Sequence, residues 1–337
     1  MEEGFKALVV TEENGYYLSG VERRELKDLP SGDVLIRVSY SSINYKDALS
    51  ASGNKGVTRS FPHTPGIDAA GVVVSSSSPN FSSGDEVIVT GYDLGMNTWG
   101  GLSEFIRVPA NWVVNKPEEL SCRQAMVLGT AGFTAAMCVD TLLQVGIAPS
   151  QGPVLVTGAT GGVGAIAVWL LSNLGFDVTA STGKLAATPW LAALGASSVI
   201  NRDTISEPTK RPMLKTEWAA VVDTVGGDTL SNALKAVQYG GSVACCGMAG
   251  STELNTSVFP FIIRGINLMG IDSVELPLEV KIDIWRMLAS EWNFKEAGAL
   301  EELLCKPITL YGVPDALETV LDGKHQGRYL VSIGGEA

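Results

Sequence analysis

The stretch Thr157-Gly158-Ala159-Thr160-Gly161-Gly162-Val163-Gly164 is the part of this sequence best suited to chemistry. It follows the apolar run Val154-Leu155-Val156 and opens a pattern that predicts a helix from Val163 to Leu174. Glycines at such a place let the backbone turn tightly and approach a pyrophosphate. The helix behind them offers unpaired N–H groups and the positive end of its dipole. An ordinary strand–helix turn is the alternative, because a glycine motif alone is weak. Here a strand precedes, a helix follows, and a second strand, Asp177 to Ser181, arrives at the spacing of a dinucleotide-binding unit.

The end of that second strand bears on which dinucleotide. A site for NAD usually places a carboxylate there, on the ribose 2′-hydroxyl. This chain has Ser181-Thr182-Gly183-Lys184 instead, with Arg202 just after the third strand. A carboxylate would repel an added phosphate, whereas a hydroxyl, a glycine amide and an ammonium would bind it. The expected cofactor is NADPH. A plainer reading makes Lys184 a solvated lysine and pairs Arg202 with Asp203.

Elsewhere the chain looks like a two-domain soluble protein. Its 337 residues, 45% hydrophobic and 18% charged, suffice for two cores, and 38 glycines suit many strand–helix turns. The net charge of −12 and the absence of any Lys/Arg run argue against nucleic acid and membrane surfaces as partners. Five cysteines, Cys122, Cys138, Cys245, Cys246 and Cys305, are scattered and form no C-x-x-C pair, which disfavours a disulfide framework or a cysteine zinc lobe. The start, Met1-Glu2-Glu3-Gly4-Phe5-Lys6, does not read as a signal peptide, and no apolar stretch looks long enough to span a bilayer. A cytoplasmic protein is expected.

Short strands fill the first third: Ala7-Leu8-Val9-Val10, Val34 to Val38, Gly71 to Val74 and Glu86 to Val89, punctuated by Gly, Pro and Ser. Gln124 to Val145 looks helical, with Gly129 and Gly132 inside it. From Val154 to Gly270 strands and helices alternate, which implies a parallel sheet. The tail from Asp272 is expected to rejoin the first domain. The resulting division is 1–125 with 272–337, a β-rich domain, and 126–271, a doubly wound α/β domain.

These features together resemble the medium-chain dehydrogenase/reductase superfamily. Ser42-Ile43-Asn44-Tyr45-Lys46-Asp47, Pro65 to Gly71, Asn97 to Gly101, Val222 to Gly226, Gly270 to Ser273 and Gln326-Gly327-Arg328 narrow the resemblance to the YhdH/YhfP-type quinone oxidoreductase-like group. The resemblance implies a GroES-like catalytic domain beside the Rossmann domain. It also implies Thr160, Gly161, Gly162 and Val163 at the pyrophosphate, and Thr182, Gly183, Lys184 and Arg202 at the 2′-phosphate. Met248, Ile262 and Ser273 would line the nicotinamide side. Lys184 stands where arginine is common in the group, and so gives up planar stacking on adenine. Arg264 could meet an anionic substrate group or a surface carboxylate.

Zinc alcohol dehydrogenases of the superfamily carry a Cys where Asn44-Tyr45 falls and a G-H-E triplet where Gly66-Ile67-Asp68 falls. Zinc needs N or S donors at about 2.0–2.3 Å. Ile67 cannot ligate, no Cys precedes Cys122, His63 stands alone near Pro62, and His325 is far along the chain. A zinc-free enzyme is expected. Without a Lewis acid, alcohol oxidation is difficult, but hydride addition to a conjugated C=C or a quinone needs only alignment and hydrogen bonds to the developing enolate. Tyr45 and Asn44 are the candidates: the phenol to orient the ring or donate to substrate, the amide to hold a carboxamide or carbonyl. A packed wall tyrosine is the alternative for Tyr45.

Reduction of a 2-enoyl thioester, acryloyl-CoA first, is the leading expectation, and quinone reduction is the second. A non-catalytic NADPH-binding protein would need the glycine turn but not Tyr45. The resemblance implies a homodimer, for which the apolar edge from Ile262 to Ile271 could pair across a two-fold axis.

Overall fold

The computed structural model describes residues 4–292 and 298–334, so the expectation for Met1-Glu2-Glu3 falls outside the described residues. The chain divides into two compact units, Met1–Thr130 with Val274–Ala337, and Ala131–Ser273.

The first unit opens with an antiparallel hairpin of β1 (Phe5–Glu13) and β2 (Tyr16–Arg24). Asn14 and Gly15 form its turn with φ of 52° and 82°, the left-handed pair that matches strand twist in a two-residue hairpin. There follow β3 (Val34–Ser42), α1 (Tyr45–Ala51), β4 (Asp68–Ser76), β5 (Glu86–Thr90), β6 (Phe105–Val108) and β7 (Val113–Asn115). Ser75 to Ser78 lies at the end of β4, before its antiparallel partner β5. Val34, Ile36, Val38, Val73, Val87, Val89 and Ile106 build the core from these strands.

The next helix, α2 (Cys122–Gln144), is broken at Gly129, with φ 50° and ψ −157°. A Cβ there would stand 2.4 Å from Asp68 Oδ2 and 2.5 Å from Ser42 Oγ, so only glycine fits. The units divide at 130/131, just beyond this break, whereas the sequence expectation of 125/126 sits inside the first helical segment. By length and composition α2 could cross a membrane, which corrects the expectation that no stretch is long enough. Its apolar window is 72% buried within the protein, so the apolar faces pack on neighbouring elements.

The second unit is a six-stranded parallel sheet of β8 (Val154–Val156), β9 (Val178–Thr182), β10 (Ser198–Asn201), β11 (Trp218–Asp223), β12 (Val237–Cys245) and β13 (Asn267–Gly270). The strand order is β10-β9-β8-β11-β12-β13. The chain runs outward from β8 to one side, then starts again on the other. That reversal puts a ligand-binding edge at the carboxyl ends of β8 and its neighbours. β8, β9 and β11 are buried along their whole length, as central strands of a parallel sheet covered on both faces are, although β9 carries Thr179, Ser181 and Thr182. Two further strands, β14 (Cys305–Thr309) and β15 (Arg328–Ser332), belong to the first unit, where β15 pairs antiparallel with β3. The seven-stranded sheet there runs β14-β15-β3-β4-β5-β7, with β6 also on β3.

After β8 the helix α3 (Gly162–Asn173) buries every residue from Gly164 to Leu171. A Cβ on Gly164 would stand 2.5 Å from Gly158 O and 2.8 Å from Ala159 Cα, so α3 reaches the turn only because position 164 has no side chain. Gly164→Ala is expected to lower stability by about 1–3 kcal/mol through forced overpacking, read as the urea unfolding midpoint. An unchanged midpoint would contradict this close approach.

Candidate functional site

In the second unit the turn after β8 is closed by Gly161 N donating to Gly158 O at 2.9 Å, with Gly158 at φ 59°. Gly161 caps α3 without a side chain, so no hydroxyl or carboxylate of the cap takes up the first N–H groups at Gly162 and Val163. Below the turn, Asp223 ties the ends of β8 and β11 together. It accepts from Thr157 Oγ1 at 2.7 Å and Gly226 N at 2.8 Å, and burial pushes its carboxyl above the usual range. Thr160 Oγ1 lies 3.2 Å from Thr182 Oγ1, which joins the turn to the end of β9.

At that end, Lys184 N donates to Thr182 Oγ1 at 3.0 Å and Arg202 N donates to Thr182 O at 3.0 Å. The guanidinium of Arg202 lies against Gly183, where a Cβ would come within 2.8 Å of Nε. Burial first, then the charge of Arg202, lowers the Lys184 pKa. Two cations held this close repel each other, and a phosphate dianion among them would remove that repulsion. Asp203 lies 3.9 Å from Arg202, both groups largely exposed, which is a weak pairing. Thus Thr160, Gly161, Gly162, Val163, Thr182, Gly183, Lys184 and Arg202 share one edge of the sheet. Met248 follows β12 and is 68% exposed, Ile262 sits on the helix Phe259–Arg264 at 73% exposed, and Ser273 Oγ accepts from Thr134 Oγ1 at 2.8 Å. Both Nη groups of Arg264 are engaged within the chain, and none of its described partners is a carboxylate. Its guanidinium donates to the carbonyls of Lys235, Val237 and Leu214 at 2.7–2.9 Å, which corrects both sequence readings.

In the first unit Tyr45 begins α1 and is 44% exposed, while Asn44 caps the helix. The Asn44 amide is engaged at both ends: Nδ2 donates to Asp68 Oδ2 at 2.7 Å, and Oδ1 accepts from Arg328 Nη1 at 2.9 Å. The amide expected to hold substrate is therefore a locking group beneath Tyr45. Asp68, fully buried, also accepts from Ser42 Oγ at 2.6 Å and from Thr130 Oγ1 at 2.6 Å. Arg328, 3% exposed, lies 3.6 Å from Asp68 and donates to Ser42 Oγ at 2.7 Å. Every strong donor and acceptor in this cluster is satisfied, as a buried ion pair requires. The sequence reading quoted Ser42, Asp47, Asp68 and Arg328 within its motifs but gave them no part. Only Asp68 and Arg328 carry a legible signal, a charge opening a mostly apolar strand.

The same cluster bears on whether a metal would fit here. Ile67 is buried and apolar, Asp68 is already bonded to hydroxyls, an amide and a guanidinium, and His63 Nε2 lies 3.0 Å from Gly95 O. A guanidinium stands beside the carboxylate that a metal would need. These donors do not fit zinc.

Asp47 adds a second buried carboxyl. It accepts from Asn44 N at 2.7 Å, Ile67 N at 2.9 Å and Gly66 N at 3.0 Å, and burial pushes it up to about 7. A carboxyl raised in the folded state binds its proton more tightly there than in the unfolded chain. Its contribution to stability is full below the unfolded value and is lost as pH rises through about 7. The stability advantage of the wild type over Asp47→Asn is therefore expected to shrink from pH 4 to pH 8. Urea unfolding of both proteins across that range measures it, and a constant or growing advantage would refute it.

Residues 30–118 match the family described as Alcohol dehydrogenase GroES-like domain, and residues 162–290 that described as Zinc-binding dehydrogenase. The acrylyl-CoA reductase AcuI of Ruegeria pomeroyi is 43% identical over 98% of this chain and 99% of its own length. The Bacillus subtilis protein named "Putative quinone oxidoreductase YhfP" is 47% identical over 91% of this chain and 92% of its own. Its structure with NAD bound superposes with a TM-score of 0.93 over 98% of this chain and 100% of that one. The yhdH oxidoreductase of Salmonella enterica, solved in complex with NADP, is 43% identical with a TM-score of 0.94, over 97% of this chain and 99% of that one. The chain is an oxidoreductase with a GroES-like unit and a Rossmann unit, and it belongs to the YhdH/YhfP/AcuI quinone oxidoreductase-like group of the medium-chain dehydrogenase/reductase superfamily.

Proposed function

We propose that this enzyme is a zinc-independent NADPH reductase that saturates an activated C=C, converting acryloyl-CoA to propanoyl-CoA. The observation that carries the reading is the pair Lys184 and Arg202 around Gly183, with no carboxylate at the end of β9. Support comes from the AcuI relative, named an acrylyl-CoA reductase, and from the NADP complex of the Salmonella relative.

The glycine turn and the open N–H groups of α3 suit a pyrophosphate, held by Thr160, Gly161, Gly162 and Val163. Thr182, Gly183, Lys184 and Arg202 bind the 2′-phosphate, while Met248, Ile262 and Ser273 serve the nicotinamide side. NADPH supplies the hydride, which adds to the β-carbon of the thioester. The Tyr45 phenol orients the reactants and donates to the developing enolate oxygen, and solvent protonates the α-carbon. Asn44 is a positioning residue, fixed by Asp68 and Arg328, that sets the start of α1 and with it Tyr45.

Quinone reduction is the second reading, favoured by the name of the Bacillus relative. Free thiols at all five cysteines support a reducing cytoplasm. Exposed Val258, Phe259 and Ile263 beside the sheet-edge strand β13 support a homodimer formed along the Ile262 to Ile271 edge.

Steady-state rates on acryloyl-CoA, crotonyl-CoA and 1,4-benzoquinone, each with NADPH and NADH, test the proposal. Acryloyl-CoA with NADPH is expected to give the highest kcat/KM. Lys184→Ala with Arg202→Ala is expected to erase the cofactor preference by raising KM for NADPH about 100-fold, near 3 kcal/mol for two charge-assisted contacts. Equal kcat/KM for NADPH and NADH in the wild type would overturn the cofactor assignment. Tyr45→Phe is expected to lower kcat about tenfold with little change in KM for NADPH, and full retention of kcat would remove the donor role.

A further inference from the structure

Lys281, on the helix Leu278–Ala289, is only 1% exposed and has no part in the reduction proposed above. Lysine is rarely buried so deeply unless specific partners hold its charge. Here the ammonium donates to Thr90 O at 2.7 Å and to Val274 O at 3.1 Å. It also stands 3.5 Å from the centroid of the Tyr92 ring, whose face attracts a desolvated cation.

Tyr92 is itself constrained. Its φ of 51° is a left-handed conformation that a bulky residue keeps only when its surroundings hold it there. The ring stacks on Trp112, with centroids 5.7 Å apart and planes 12° apart. Its N–H donates to Val274 O at 3.2 Å, and its hydroxyl donates to Leu276 O at 2.9 Å. Burial, then the charges of Glu275 and Glu279, push the phenol up, so the hydroxyl stays a donor at neutral pH.

These bonds converge on a stretch that lacks regular structure. Residues 272–277 lie between β13 and the helix Leu278–Ala289 and belong to no helix or strand. Val274 O receives both the Tyr92 N–H and the Lys281 ammonium, and Leu276 O receives the Tyr92 hydroxyl. Ser273 comes immediately before the first of these carbonyl-bearing residues.

We propose that Lys281 and Tyr92 are positioning residues that pin Val274 and Leu276, and so fix Ser273 where the nicotinamide half of NADPH is held. They act through backbone carbonyls rather than by contact with the cofactor. The inference rests on Ser273 serving the nicotinamide side, as proposed above. Loosening the stretch weakens the nicotinamide end of the site and leaves Gly183, Lys184 and Arg202 at the 2′-phosphate end unaltered.

Two variants of the full-length protein test this. Lys281→Met removes the ammonium but keeps an unbranched chain, while Tyr92→Phe removes only the hydroxyl and decides the matter should Lys281→Met fail to fold. Hydrogen exchange of the cofactor-free proteins is read on the peptide from Gly270 to Pro277. Calorimetry then measures binding of NADPH and of adenosine 2′,5′-bisphosphate, which carries the phosphorylated ribose without a nicotinamide. Faster exchange is expected in both variants. The Kd for NADPH is expected to rise about tenfold in Lys281→Met and about threefold in Tyr92→Phe, with bisphosphate binding unchanged. Unchanged exchange, unchanged NADPH binding, or equal weakening of both ligands would overturn the proposal. Wild-type protein that binds neither ligand would overturn the cofactor reading and the coupling to Ser273 with it, and the exchange still decides whether the two side chains pin the stretch.

Discussion

The glycine turn proposed to hold a dinucleotide depends on how closely α3 approaches the end of β8. The approach is set by the missing side chain at Gly164, where a Cβ would press within 2.5 Å of Gly158 O. With the helix seated there, its first N–H groups face the turn without a side-chain cap, and the left-handed Gly158 aims the backbone toward them. Asp223 secures this geometry by bridging two strand ends. A larger residue would lift the helix and scatter the groups that suit a pyrophosphate. Lys184 and Arg202, proposed to meet a 2′-phosphate, lie at the end of β9 and after β10, on the same sheet edge as that turn.

The first unit answers a different physical demand. Among the described residues no cluster of three or more His, Cys, Asp or Glu gathers to hold a metal, and the space around Asp68 is filled by the chain itself. Here Arg328 supplies the positive charge and Ser42, Asn44 and Thr130 supply hydrogen bonds, so the buried carboxylate is compensated within the chain. Removing a single partner would strand a buried charge, at a cost of about 3–5 kcal/mol. Asp47, one helical turn from Asn44, holds the loop at Gly66-Ile67 through backbone N–H groups. The outcome is a rigid start to α1 that presents an exposed phenol, and it is reached by packing and hydrogen bonds alone.

Much of this was legible beforehand, for identifiable reasons. The alternating strands and helices from Val154 to Gly270 are a local pattern, and they form a parallel sheet in the order expected of a Rossmann unit. Thr160 to Val163, Thr182 to Lys184 and Arg202 fall within a few positions of strand ends, where sequence spacing translates directly into proximity to one another. The cluster at Asp68 was not legible, since Ser42, Asp68, Thr130 and Arg328 come from four distant stretches that only the tertiary fold unites. Arg264 was misread because a surface-facing guanidinium and one that satisfies three carbonyls look alike in sequence. The apolar length of α2 was underestimated, its glycines and threonines masking a helix whose burial explains its composition.

Direct hydride delivery to an electron-poor carbon without a metal is the chemistry proposed for this protein. Turnover of acryloyl-CoA with NADPH deuterated at the transferable ring position, on protein of measured zinc content, tests it most directly. The account requires deuterium on the β-carbon of propanoyl-CoA, with metal-free protein fully active. Deuterium on the α-carbon, unlabelled product, or turnover that appears only when zinc is added would contradict it.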